Sequence, residues 1–258
     1  MQSPFTTQPL HPIRRAIVVG ASSGIGAALV QDLVRHGYAV AALARRLDDL
    51  QQVCEEANRH AAGAFAVAYE HDVTAYDDIP DLFQDIVQEL GGLDLVVYVA
   101  GVQPEVAPNE YNFDKDATMV QVNLMGAMAW LNQAAERFHH TRQGHIVGIS
   151  SVSGDRGRSA FPAYHTSKGA LSIYLESLRN RLSRRGVTVT TIKPGFVDTR
   201  LLANAENTMW VISPQEAATQ IRQAFEAGKQ VAYVPARWRW IMLVIIHIPS
   251  FIFRRLRI

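Results

Sequence analysis

Tyr164 and Lys168 stand four residues apart in Tyr-His-Thr-Ser-Lys, and Ser151 precedes the tyrosine by thirteen. Four residues is about one helical turn, so a helix sets both side chains on one face. The chemistry open to such a pair is proton transfer. A phenol with a pKa of about 10 is a poor acid or base near neutrality, and an adjacent ammonium group favours the phenolate and lowers that value. A phenol tuned in this way can exchange a proton with an alcohol or carbonyl oxygen. A serine hydroxyl can hold that oxygen in place. Tyr-x-x-x-Lys also arises by chance, so its meaning depends on the elements that would position it.

The first of those elements lies near the N-terminus. Arg14-Arg15-Ala16-Ile17-Val18-Val19 reads as a short buried strand. It runs into Gly20-Ala21-Ser22-Ser23-Gly24-Ile25-Gly26, and Ala27 to Val34 follow with a helical pattern. Strand, glycine-rich turn and helix in that order make a phosphate cradle. Backbone N–H groups and the positive end of the helix dipole meet an anion there, and glycine lets it come close. The spacing is Gly-x-x-x-Gly-x-Gly, which differs from the usual Gly-x-Gly-x-x-Gly fingerprint. A turn that only joins strand to helix is the plainer alternative.

Taken together, the loop 20–26, the Ser151, Tyr164 and Lys168 set and Pro194-Gly195 resemble the short-chain dehydrogenase/reductase family in order and spacing. Asn123, in Val-Asn-Leu-Met-Gly, is similar to the family's helix asparagine, and Asp72-Val73 to its adenine-side aspartate and the residue after it. The likeness runs from about residue 14 to about residue 235. It implies an α/β doubly wound Rossmann fold and catalytic roles for Asn123, Ser151, Tyr164 and Lys168. It also implies a dinucleotide held by Gly20, Ser22, Ser23, Gly24, Ile25 and Gly26 at the pyrophosphate. Asp72 and Val73 would hold the adenine, with Ala100 and Gly101 after the fourth strand. Tyr164 and Lys168 would meet the nicotinamide ribose. Pro194, Gly195, Val197 and Thr199 would shape the nicotinamide pocket, Thr199 bonding the carboxamide. Asn123 would distort its helix and hold a water that links Lys168 to solvent. One departure stands out. The family's Asn-Asn-Ala-Gly is here Tyr98-Val99-Ala100-Gly101, so the hydrogen bonds of both asparagines must come from elsewhere.

The rest of the chain alternates in the manner such a site needs. Strand-like runs fall at 16–19, 39–43, 64–69, 93–99, 145–149, 187–192 and 230–234, with helix-length segments at 47–60, 79–90, 117–139 and 163–185. Strands alternating with helices predict βαβ units and a central parallel sheet of about seven strands. No linker or repeat divides the chain, so 1–258 reads as one domain with a flexible tail at 1–13 and an apolar, basic helix at 237–258.

The second strand ends in Ala44-Arg45-Arg46. An acid at that tip would bond the ribose 2′-hydroxyl of NAD and repel the 2′-phosphate of NADP. Alanine followed by two guanidinium groups suits the phosphate, so the expected cofactor is NADP(H). The pair could instead be a solvated helix start.

Composition sets further bounds. Net charge is +1, which gives no broad footprint for nucleic acid. The single cysteine, Cys54, can form no intrachain disulfide, so a reducing, cytoplasmic setting is expected. The first twelve residues lack the apolar core of a signal peptide. His139-His140 lacks a third nearby ligand, and no metal site is expected. Asp155-Arg156-Gly157-Arg158 reads as a surface loop.

Substrate choice falls to residues 196–214, where Leu201, Leu202, Met209, Trp210, Val211 and Ile212 could form an apolar lid or pack on the core. The tail from 237 on has two tryptophans, a long apolar run and five arginines with no acid. A peripheral membrane contact and an oligomer interface are both open, the family being commonly dimeric or tetrameric. The sequence thus predicts an NADPH-dependent oxidoreductase interconverting a carbonyl compound and an alcohol. Two alternatives remain: a sugar-nucleotide epimerase or dehydratase, and a non-catalytic nucleotide sensor of the same fold.

Overall fold

A parallel sheet is buried on both faces, and the strands here are apolar enough to be so. β2 (Tyr38–Ala44) is buried along its whole length, as are the last four residues of β1 (Arg14–Val19). The computed structural model describes residues 14–256 except 60, 62, 64 and 205–207. The expected tail at 1–13 and the last two residues lie outside that range, as do His60 and Ala64, which bound an expected helix and strand.

The remaining strands are β3 (Ala66–Glu70), β4 (Leu95–Tyr98), β5 (Gly144–Ile149), β6 (Val187–Pro194) and β7 (Val231–Val234). All seven pair in parallel in the order β3-β2-β1-β4-β5-β6-β7. The sequence order reverses between β1 and β4, where the ends of neighbouring strands part and leave a crevice.

Helices cover both faces. On one lie α1 (Gly24–Arg35), α2 (Leu47–Arg59) and α7 (Pro214–Glu226), whose Leu29, Leu33, Leu50 and Ile221 pack on Val18, Val40 and Val97. On the other, Phe83 of α3 (Ile79–Leu90), Trp130 of α5 (Gly126–Thr141) and Leu175 of α6 (Pro162–Leu182) meet Ile17, Val96 and Ile146. The sheet residues of each set alternate along their strands, as the period of two requires.

Local chemistry sets several ends. Pro162 opens α6 and Pro214 opens α7, where the missing N–H costs nothing. Ser213 caps α7 by accepting from the Glu216 N–H at 3.1 Å. Gly91 closes α3 at φ +69°.

Two expected helices differ from those observed. The segment expected at 117–139 begins earlier, as α4 (Phe113–Val120), and passes through a wide π turn at Gln121–Met125 before α5. The tail expected as one helix at 237–258 is two, α8 (Trp238–His247) and α9 (Ser250–Phe253), because Pro249 cannot continue the first.

Candidate active site

The loop between β1 and α1 lies at the sheet's reversal point, beside the loop after β4. Gly20 has φ +96°, and a Cβ there would stand 2.4 Å from the Ala100 backbone nitrogen. A Cβ on Gly26 would stand 2.1 Å from the Gly20 carbonyl oxygen, and one on Gly24 2.9 Å from the Thr199 methyl. Glycine is therefore needed so that the loop can fold against Ala100, Thr199 and its own helix. Ser23 caps α1 without a side-chain hydrogen bond. The first-turn N–H groups thus keep the capacity to bind an anion. Ile25 is half-buried and packs against the core. The donor set, the tight glycine bend and the twelve-residue helix fit a pyrophosphate.

The two arginines after β2 separate in space. Arg46 donates to the Ser22 hydroxyl at 2.9 Å and the Ser23 hydroxyl at 3.2 Å, while its Nε donates to Asp49 at 2.5 Å. It therefore lies on the rim of the cradle. Arg45 stands 3.7 Å from Asp72. Partial burial works against the Asp72 charge, but two hydrogen bonds from Thr74 and the Arg45 cation outweigh it and hold the carboxyl below its usual range. Val73 is buried beside it. Arg200, which sequence spacing did not single out, approaches Asp49 to 3.9 Å and joins Ser22 in a cleft of about 280 Å³.

The proton-transfer set occupies β5 and α6. Ser151 follows β5 and accepts from the Ser153 N–H at 3.0 Å. Tyr164 and Lys168 sit one turn apart on α6, with the ammonium nitrogen 6.0 Å from the phenol ring centre. Lys168 is 3% exposed, and its Nζ donates to the Ile149 carbonyl at 2.9 Å. Burial lowers its pKa to about 8. Burial also raises the Tyr164 phenol, and a hydrogen bond with Ser151 offsets part of that rise. The direction is the reverse of the sequence expectation. The lysine does not draw the phenol down here, because at this distance desolvation of both groups outweighs their attraction.

Asn123 lies in the π turn, fully buried. Its Oδ1 accepts from the Val102 N–H at 2.7 Å, and its Nδ2 donates to the Val102 carbonyl at 3.0 Å and to the Ser167 hydroxyl at 3.1 Å. It thus clamps the loop after β4 to α6. A Cβ on Gly101 would stand 3.2 Å from Lys168 Nζ and 3.4 Å from Asn123 Oδ1. Gly101, Asn123 and Lys168 therefore meet at one point.

The bonds expected from asparagines at 98 and 99 come in part from a phenol. Tyr98 is fully buried, and its hydroxyl donates to the Val122 carbonyl at 2.6 Å. A π turn leaves carbonyls without their usual helical partners, and Tyr98 supplies one. Gly126 makes room, since a Cβ there would stand 2.6 Å from that hydroxyl.

Beyond β6, Pro194 ends the strand and Gly195 donates to the Val234 carbonyl at 2.9 Å. Trp238 of α8 packs directly on Gly195, where a Cβ would stand 1.9 Å from its Nε1. Val197 is buried and bridges Ile212, which closes the neck of the loop between them. The apolar run 201–212 splits in consequence: Ile212 joins the core, and Met209, Trp210 and Val211 stay exposed. Trp210 and Phe196 both meet Trp238 edge-on, with ring centres 5.8 and 5.6 Å apart.

The segment 155–158 is a surface loop, as expected, with Gly157 exposed and its charged neighbours half-buried. Its side chains tie it in place. Asp155 takes an ion pair with Lys193 and a 2.7 Å hydrogen bond from the Tyr233 hydroxyl. Arg156 donates to the Ile245 carbonyl at 2.5 Å and stacks 3.9 Å over Phe253. The chain between Ser151 and Tyr164 is thereby fastened to the C-terminal helices. Cys54 is buried, and burial pushes its thiol up to about 12, so it is inert near neutrality.

Fold and site together define a class: a doubly wound α/β protein with a dinucleotide cradle and a proton-transfer set at its edge. The short chain dehydrogenase profile matches residues 14–210, and the chain belongs to that family. It is an oxidoreductase of a family that works with a nicotinamide cofactor. An uncharacterized oxidoreductase of Myxococcus xanthus is 40% identical over 190 residues, 74% of each chain. One from Mycobacterium tuberculosis is 28% identical over 232 residues, 90% of this chain and 91% of its own. A short-chain type dehydrogenase/reductase from Mycobacterium ulcerans has a TM-score of 0.78 at 23% identity, covering 85% of this chain and 87% of its own. A variant of actinorhodin polyketide ketoreductase solved with NADPH has a TM-score of 0.77 at 24% identity, covering 86% and 95%. At these identities the solved structures speak for the fold alone.

Proposed function

We propose that the protein is an NADPH-dependent carbonyl reductase acting on an apolar aldehyde or ketone. One observation carries this reading: Tyr164, hydrogen-bonded with Ser151, shares a helix face with buried Lys168 beside the glycine cradle. Bound across that cradle, the dinucleotide would supply the hydride that reduces the carbonyl carbon. Tyr164 gives its proton to the carbonyl oxygen as the hydride arrives, so the product alcohol gains both hydrogens. Ser151 donates to the same oxygen and stabilises the charge that develops on it. Lys168 spends one of three donors on Ile149 and has two left for ribose hydroxyls. Asn123 holds the loop that packs on the ammonium group.

The choice of NADPH rests on Arg46, whose guanidinium reaches the cradle serines and can take a phosphate through two hydrogen bonds. The apolar substrate class rests on Phe196, Trp210 and Trp238 beside Gly195. The test follows cofactor oxidation over a panel from polar sugars to long-chain and steroid carbonyls, with NADPH and NADH. NADPH turnover rising toward the apolar end is expected. Replacing Arg46 by Ala should cut the preference for NADPH over NADH by on the order of tenfold or more, as loss of a charge-assisted hydrogen bond would. An unchanged preference contradicts the assignment.

A further inference from the structure

A helix packed on a protein normally turns a polar face to water, and α8 does not. Trp238, Met242 and Ile245 are buried against Val152 and its neighbours. The other side shows Trp240, Leu243 and Val244, at the spacing of one helical stripe, with Ile246 next to them. Trp240 is 66% exposed and Val244 65%. α9 adds Phe251, at 58%, and Ile252, with Leu256 just beyond. Met209 and Trp210 extend this surface toward the loop after β6, for Trp210 meets both Trp238 and Arg237. Exposed apolar patches of this extent mark a binding surface.

Charge distinguishes the possible occupants. After Glu226 the sequence has no acid, while Arg237, Arg239, Arg254 and Arg255 rim the patch. Arg237 stacks on Trp210 at 4.9 Å and Arg239 on Trp240 at 5.8 Å. Tryptophan beside arginine is the pairing that suits the headgroup level of a bilayer, with the ring in the apolar layer and the cation among phosphates. A symmetric dimer through this patch would bring the same cationic rims together. Among the described residues no helix is long and apolar enough to cross a membrane. At ten residues, α8 is about 15 Å long against a hydrocarbon core of about 30 Å. The geometry fits a helix lying in the interface.

We infer that α8, α9 and the loop tip at 209–211 form a docking surface for an anionic lipid bilayer. Docking would set the loop after β6 against the apolar layer, and Arg156 would keep the seated helices fastened to the loop that carries Ser151. The inference does not rest on the reductase assignment, and its test needs no substrate.

The full chain is sedimented with vesicles of phosphatidylcholine alone and of phosphatidylcholine mixed with phosphatidylglycerol. Binding to the mixed vesicles only, weakened by added salt, is expected. Trp240→Ala with Val244→Ser should lose that binding by about tenfold or more, and Arg254→Glu with Arg255→Glu should abolish the preference for anionic lipid. Circular dichroism and NADPH binding matching the wild type show that both variants remain folded. A wild type that stays in solution with anionic vesicles overturns the inference. So does an apolar-face variant that still binds, or one whose only change is a halved mass in analytical ultracentrifugation.

Discussion

Lys168 holds a positive charge where water cannot solvate it, and burial brings its pKa to about 8. If the ammonium form is the one that seats the ribose and supports proton transfer, reduction depends on a group protonated below about 8 and neutral above it. Reductive kcat/KM is then expected to be level near neutrality and to fall roughly tenfold per pH unit on the alkaline side. A profile flat into strong alkali contradicts this role. The placement of Tyr164 and Lys168 on one helix face, and of Gly24 and Gly26 in one turn, was readable because both depend on local spacing alone. The direction of the Tyr164 shift was not readable, since desolvation depends on what encloses the phenol. The packing of Arg200 on Asp49 and of Trp238 on Gly195 was not readable for a related reason: nothing in their local sequence reports that they fold back there.

At the scale of elements, the π turn between α4 and α5 is tied to residues of β4, the loop after it and α6 that are distant in sequence. The Tyr98 hydroxyl donates to the Val122 carbonyl, Gly126 leaves the space for that hydroxyl, and Asn123 clamps the turn to Val102 and Ser167. Tyr98→Phe should cost about 1–3 kcal/mol, because it leaves that buried carbonyl unmet. Gly126→Ala should cost a similar amount through overpacking. The two should add to less than their sum, since removing the hydroxyl relieves the closest clash. Chemical denaturation of both single variants and the double one checks this, and strict additivity contradicts it. The sequence showed an apolar tyrosine in a strand and a helix around 117–139, but a period of 3.6 cannot reveal a single widened turn. The break between α8 and α9 was equally implied by Pro249, yet the apolar run on either side masked it.

For the whole molecule, the alternation of strands and helices made the doubly wound sheet legible, because each βαβ unit is written in local periodicity. What joins the ends of the fold was not. Asp32 on α1 and Arg222 on α7, 190 residues apart, form a nearly buried ion pair at 2.6 Å. Arg222→Ala removes the guanidinium from the nearly buried Asp32 carboxylate, leaving Thr219 at 3.5 Å and His36 at 3.8 Å, and should cost about 3 kcal/mol, read as a lowered melting temperature. A loss below about 1 kcal/mol would place that pair among surface bridges instead. The parallel pairing of β1 with β4 and of β4 with β5 brings the β1 loop, the β4 loop and the proton-transfer set of α6 to one edge of the sheet. The claim that they act there as a reductase is tested most directly by Tyr164→Phe, assayed for NADPH oxidation with the best carbonyl of the panel. Turnover reduced by about 10²–10⁴-fold, with NADPH binding intact, is the expected result. Turnover equal to the wild type would contradict the account.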